Sequence, residues 1–136
     1  MPFVIDASAA LAWFFADERT PATQALLKRL DADQAVTPAI WPCEMANAFL
    51  MAERRKRVSP ADIALYLSDL AVLPVRTERA LAPDDMAAVI DLARRNKLSV
   101  YDACYLDVSL RLKLPLATRD GDLAAAAGAQ GVKLLL

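Results

Sequence analysis

Phe3-Val4-Ile5-Asp6-Ala7-Ser8 is the stretch that decides how this chain is read. Three apolar residues, two of them β-branched, run straight into an acid, a small residue and a hydroxyl. A short buried strand has this pattern and ends where the polar residues begin. In an open α/β sheet, ligands bind at the carboxyl ends of the strands. Asp6 is therefore expected at such an edge, and other acids that follow strands are its natural partners.

Outward from that start, helices and strands alternate. A helix is expected from Ser8 to Phe15, and Thr20-Pro21 opens another that reaches Leu30, an N-cap followed by proline at the first helical position. Ala35-Val36-Thr37 reads as a second strand stopped by Pro38. A long helix carries Glu44, Met45, Ala48, Phe49 and Ala52 and ends in Arg54-Arg55-Lys56-Arg57. Ser59-Pro60-Ala61-Asp62 is a capping signature for a helix through Leu70. Val72 to Val75 is a third strand, with Pro74 confining it to an edge or a strand end. Pro83 starts a helix to Arg95, and Ser99 to Leu112 is helical with Tyr101, Cys104, Tyr105, Val108 and Leu112 on one face. Leu114 to Thr118 is a strand, Leu123 to Ala127 a short helix, and Val132, Leu134 and Leu135 suit a last strand. With hairpin signals absent, the alternation predicts an α/β domain with a mostly parallel sheet of four or five strands. No linker divides residues 1–136, so one domain is expected.

Composition narrows the chemistry. At 136 residues and 57% hydrophobic content the chain has enough apolar material for a core. No uncharged apolar run of about 18 residues occurs, so no membrane span is expected. Asp6 interrupts the first apolar segment, which speaks against a signal peptide. Cys43 and Cys104 fit no metal spacing and read as two buried thiols in a reducing compartment, which predicts a cytoplasmic protein. Histidine is absent, which excludes the usual zinc sets and the Ser-His-Asp and Cys-His machinery. A net charge of −1 announces no global basic field, although local patches remain open.

Four acids then stand out: Asp6 after the first strand, Glu44 after the second, Asp102 after Ser99, and Asp120 after Thr118. Each also has a structural use. Asp102 could complete a capping box with Ser99, Asp120 could be an N-cap, and Glu44 could favour its helix dipole. Because parallel strands point one way, acids that follow several of them gather on one edge. Carboxylates so crowded repel, and hard divalent ions such as Mg²⁺ and Mn²⁺ suit an oxygen-rich site. Metal-assisted phosphodiester hydrolysis is the chemistry this predicts.

The same segments carry a resemblance. Val4-Ile5-Asp6-Ala7-Ser8-Ala9, Pro42-Cys43-Glu44-Met45-Ala46-Asn47, Ser99-Val100-Tyr101-Asp102-Ala103 and Leu116-Ala117-Thr118-Arg119-Asp120 stand in order along nearly the whole chain. Together the four resemble PIN-domain ribonucleases, and more narrowly the VapC-type toxins of bacterial toxin–antitoxin pairs. The resemblance implies a three-layer α/β/α domain and endonucleolytic cleavage of RNA. It also implies a site in which Asp6, Glu44, Asp102 and Asp120 hold Mg²⁺ or Mn²⁺. Ser8 and Thr118 match the supporting polar positions, and Asn47 lies one helical turn beyond Glu44. Asp122 could replace or assist Asp120. A VapB-type antitoxin and a toxin homodimer are the implied partners.

Arg54 to Arg57 is the one dense basic run. It reads either as a solvated helix end or as a phosphate contact for RNA, with Arg94, Arg95, Lys97 and Arg119 as further candidates. Trp13-Phe14-Phe15 cannot all be buried on one helical face, so at least one of them is expected at the surface or against a partner. Two other functions compete. A haloacid-dehalogenase-like phosphatase would want a second acid two residues after its nucleophile, where this chain has Ser8. A non-catalytic PIN-like module for RNA or protein binding would tolerate erosion of the acids, yet all four are present.

Overall fold

A computed structural model describes residues 1–136. Strand β1 (Phe3–Ile5) lies at the centre of a four-stranded sheet with its three side chains fully buried. The other strands are β2 (Ala35–Thr37), β3 (Val75–Thr77) and β4 (Leu116–Ala117), in spatial order β3-β2-β1-β4. All pairings are parallel, with Val4 opposite both Val36 and Leu116, and Ala35 opposite Val75. Strands buried on both faces need no polar alternation, which is why Phe-Val-Ile and Ala-Val-Thr read as continuous runs.

Seven helices complete an α/β/α domain: α1 (Ala7–Leu11), α2 (Pro21–Arg29), α3 (Trp41–Arg54), α4 (Pro60–Val72), α5 (Pro83–Asn96), α6 (Val100–Leu112) and α7 (Gly121–Ala129). Helix α6 packs on β1, α5 and α7, while α1 packs on α3. The core is one cluster built from β1, β2, β4 and the inward faces of α1, α2, α3, α5, α6 and α7. No helix is long and apolar enough to cross a membrane.

The capping signatures act as read. Thr20 Oγ1 accepts from Thr23 N and Thr23 Oγ1 from Thr20 N; Ser59 and Asp62 do the same for α4. Less legible are the ends of α3, α5 and α6. Lys56, Lys97 and Lys113 take left-handed backbone at φ of 55–59°. After each, an amide bonds back five residues: Arg57 to Ala52, Leu98 to Ala93, Leu114 to Ser109. In a chain with three glycines, lysine closes these helices where glycine usually does.

Several expectations need correction. Helix α1 stops at Leu11 rather than Phe15, and a turn leads into a 3₁₀ segment, Ala16–Glu18. That turn releases Trp13, Phe14 and Phe15 from a single helical face, so all three are buried. Trp13 Nε1 donates to the Thr23 carbonyl, while Phe14 and Phe15 pack edge-on to Phe49, 5.4 and 6.1 Å between ring centres. None of the three is left for a partner. Helix α4 continues through Val72, so β3 begins only at Val75. The last segment contributes an isolated bridge, Leu134 to Leu116, rather than a fifth strand. Tyr101 faces solvent instead of joining the buried face of α6, and Cys43 is exposed, leaving Cys104 as the one buried thiol.

Candidate active site

The carboxyl ends of β1 and β4 meet at Asp6 and Thr118. Asp6 is the residue at which β1 becomes α1, and its Oδ1 caps that helix by accepting from Ala9 N at 2.9 Å. Ser8 Oγ lies 2.7 and 2.9 Å from the two Asp6 oxygens, and Thr118 Oγ1 donates to Oδ2 at 2.5 Å. The same two hydroxyls accept from the backbone of the loop after β4: Arg119 N donates to Ser8 Oγ and Asp120 N to Thr118 Oγ1. Asp120 is thereby fixed beside Asp6, and its own Oδ1 caps α7 through Leu123 N. The N-cap reading of Asp120 is correct as structure, and it leaves Oδ2 outside that bond.

Glu44 and Asp102 arrive from the first turns of α3 and α6. Asp102 N donates to Ser99 Oγ, one half of the capping box foreseen there. Glu44 Oε1 accepts from the hydroxyl of Tyr105, which is itself buried.

The electrostatics join these positions. Burial raises the Asp6 pKa above the ordinary carboxylate range; hydrogen bonds from Thr118, Ala9 and Ser8 oppose the rise, and the Asp120 charge adds to it. Burial likewise raises Glu44, against the Tyr105 hydrogen bond and with the charges of Asp102 and Asp6. Asp102 is raised by burial and by Asp120 and Asp122, with Ser99 opposing. The charge of Asp120 thus bears on Asp6 and Asp102, and those of Asp6 and Asp102 on Glu44, which links the four acids in a chain of neighbours. They gather without closing: no three of them converge at the spacing that encloses an ion.

That donor set suits a hard cation. It offers carboxylate oxygens with no nitrogen or sulfur ligand, and the mutual destabilisation of the ionised acids is what a divalent charge would relieve.

The supporting residues divide. Ser8 and Thr118 are tied to Asp6 directly. Asn47 is exposed on α3 and takes no part in the Asp6 network, and Asp122 is exposed, reaching the site only through its charge on Asp102. Arg54 and Arg55 are exposed at the end of α3, while Arg57 is engaged with Asp17 and Glu18 and lies over the Phe15 ring at 4.7 Å. Arg119 pairs with Glu18 at 3.3 Å, so Glu18 links both arginines at the rim. Sequence reasoning missed Tyr105 as a site residue. The available signal was its place one helical turn beyond Asp102, which puts both on one face of α6.

The PIN domain family model matches residues 3–129 of this chain. No curated protein matches it. Among solved structures it is similar to PAE2754 from Pyrobaculum aerophilum, at 25% identity and a TM-score of 0.69, over 99% of this chain and 84% of that one.

Proposed function

Because this chain belongs to the PIN-domain family, whose members are generally metal-dependent nucleases, we propose that it is an Mg²⁺- or Mn²⁺-dependent endoribonuclease, working as the toxin of a VapC-type pair. The observation that carries the reading is the grouping of Asp6, Glu44, Asp102 and Asp120, in which Asp6 and Asp102 are raised by burial and by the Asp120 charge, and Glu44 by burial and by the charges of Asp102 and Asp6.

Asp6, Asp102 and Asp120 would hold the cation directly or through water, and Glu44 would hold it through water. When bound, it supplies Lewis acidity, making water a better nucleophile near neutral pH and offsetting charge on the phosphate. Ser8 and Thr118 keep the Asp6 carboxylate in one orientation. Glu44, with Oε1 held by Tyr105, has Oε2 to accept a proton from the attacking water. Arg119 and the exposed Arg54 and Arg55 offer positive charge for the RNA backbone. The phosphatase reading is not favoured: at the position of its second acid stands Ser8, whose hydroxyl serves Asp6.

A VapB-type antitoxin and a homodimer belong to the same proposal, as does a cytoplasmic location. With the aromatic trio buried, support for a partner comes instead from α4, which has no buried residue and exposes Leu65, Leu67 and Val72.

The test is cleavage of RNA by the full chain with Mg²⁺, Mn²⁺ or a chelator, alongside Asp6→Asn and Asp102→Asn. Discrete cuts that need the metal and vanish in both folded variants support the proposal. Full activity in those variants, or intact RNA under every metal condition, overturns it. Growth arrest on expression, relieved by the neighbouring gene product, tests the toxin role separately.

A further inference from the structure

Glu44 differs from the other three acids in how it is held. Asp6 and Asp120 are fixed by backbone amides of the helices they cap, and Asp102 lies in the first turn of a helix capped by Ser99. Glu44 carries the longest side chain of the four, on the first turn of α3, and is half-buried. One donor fixes its carboxylate, the hydroxyl of Tyr105 at 2.5 Å, and that donor comes from another helix 61 residues further along the chain.

Tyr105 is built for the task. Its side chain is 1% exposed, packed in the core beneath the site, so the ring has no freedom to swing away. Its hydroxyl lies within electrostatic reach of Asp6 as well as Glu44. The residue sits one turn after Asp102 on α6, the helix that packs against β1 and hence against the base of Asp6. A bond from a fixed phenol to one oxygen of a flexible carboxylate selects one orientation and directs the second oxygen away from the donor. Residues that orient ligands in this manner commonly contribute 10–100-fold to metal affinity or activity.

We propose that Tyr105 is a positioning residue for the divalent cation and its reaction, acting through Glu44: its hydroxyl sets the carboxylate in the orientation that faces Asp6 and Asp102. The inference rests on the metal-nuclease reading above.

The experiment measures Mn²⁺ binding to the full-length chain by titration calorimetry, together with RNA cleavage and thermal unfolding without metal. It compares wild type with Tyr105→Phe, Glu44→Gln, the Tyr105→Phe/Glu44→Gln pair, and Asp6→Asn. Tyr105→Phe keeps the buried ring and removes only the hydroxyl, and the unfolding curve verifies that it folds. The expected result is an Mn²⁺ affinity about 10-fold weaker in Tyr105→Phe, with kcat falling and KM for RNA unchanged. Once Glu44 is Gln, removing the hydroxyl should cost nothing more. Wild-type Mn²⁺ affinity in Tyr105→Phe, or a further loss in the pair of the same size as in the single variant, overturns the inference. If Asp6→Asn also binds Mn²⁺ like wild type, the metal reading itself has failed and takes this inference with it. Loss in Asp6→Asn alone leaves that reading intact and removes only the role of Tyr105.

Discussion

Thr118 donates a 2.5 Å hydrogen bond to Asp6 across 112 residues of chain, and both side chains are 5% exposed. The bond is a consequence of topology: β1 and β4 are parallel neighbours, with Ile5 opposite Ala117, so the residue after each strand falls at the same level. Around it, Ser8, Arg119 N and Asp120 N form a continuous set of donors and acceptors. The loop that bears Asp120 is therefore fastened to the one that bears Asp6.

Thr118→Val keeps the shape of the side chain and removes the hydroxyl, leaving a buried carboxylate oxygen and the Asp120 amide each short of a partner. The expected loss of stability is about 2 kcal/mol, because the bond is charge-assisted and buried. Urea unfolding checks it, and Thr118→Ser should recover most of the loss. A Val variant as stable as wild type would show that the network contributes nothing.

The raised carboxylates predict how the metal-free protein responds to pH. Asp6, Glu44 and Asp102 have folded-state pKa values above their ordinary 3.8, 4.5 and 3.8, chiefly through burial. Their contribution to stability is thus fully present below those ordinary values and is lost as pH rises through the folded ones. Asp33 and Asp85 are lowered by ion pairs and act the opposite way, but only below pH 3.8. From pH 4 to pH 7, Asp102→Asn should lose less Tm than wild type, and at pH 7 it should melt higher in the absence of metal. Mn²⁺ at pH 7 should raise the wild-type Tm by binding only the folded state. Parallel Tm–pH curves for the two proteins would contradict this account.

Phe14 forms a cluster with Phe49 and Tyr66, at 5.4 and 5.5 Å between ring centres. Phe14→Ala should destabilise the fold by about 3–5 kcal/mol through lost burial and a residual cavity. Denaturant unfolding at constant m-value measures it. A loss under about 1 kcal/mol would put the ring at the surface, as the run of three aromatics suggested by itself.

Arg54→Ala with Arg55→Ala separates a helix end from a nucleic-acid contact. Both are exposed and outside the ion pairs that hold Arg57, so Tm should not change. If both touch phosphate, the slope of log affinity for single-stranded RNA against log salt should fall by roughly 1.4. The comparison is made by binding titration with Ca²⁺ in place of Mg²⁺ at several salt concentrations. An unchanged slope assigns the run to the helix end alone.

The strand-to-acid transition at Asp6, the capping of α2 and α4, the alternation of helices and strands, and the order of the four acids were all legible in the chain. Each depends on neighbours in sequence: hydrophobic runs, a proline after a cap, an acid after a strand. Those local rules, with the parallel sheet they imply, were enough to put Asp6 and Thr118 on one edge. What they could not specify depends on distant residues. Where α1 ends decided the fate of Trp13, Phe14 and Phe15: beyond it Trp13 bonds to the Thr23 carbonyl, and Phe14 and Phe15 pack on Phe49 and Tyr66. Tyr105 and Glu44 are 61 residues apart on two helices, and although helical spacing puts Tyr105 on the face of Asp102, nothing local to either residue pairs it with Glu44. Asn47 shows the converse, since helical spacing from Glu44 fixed its place on α3 but not the direction it faces. Local sequence sets backbone periodicity, and so the level at which each acid stands. The packing of one element on another sets side-chain direction, and so which of those acids is held and by what.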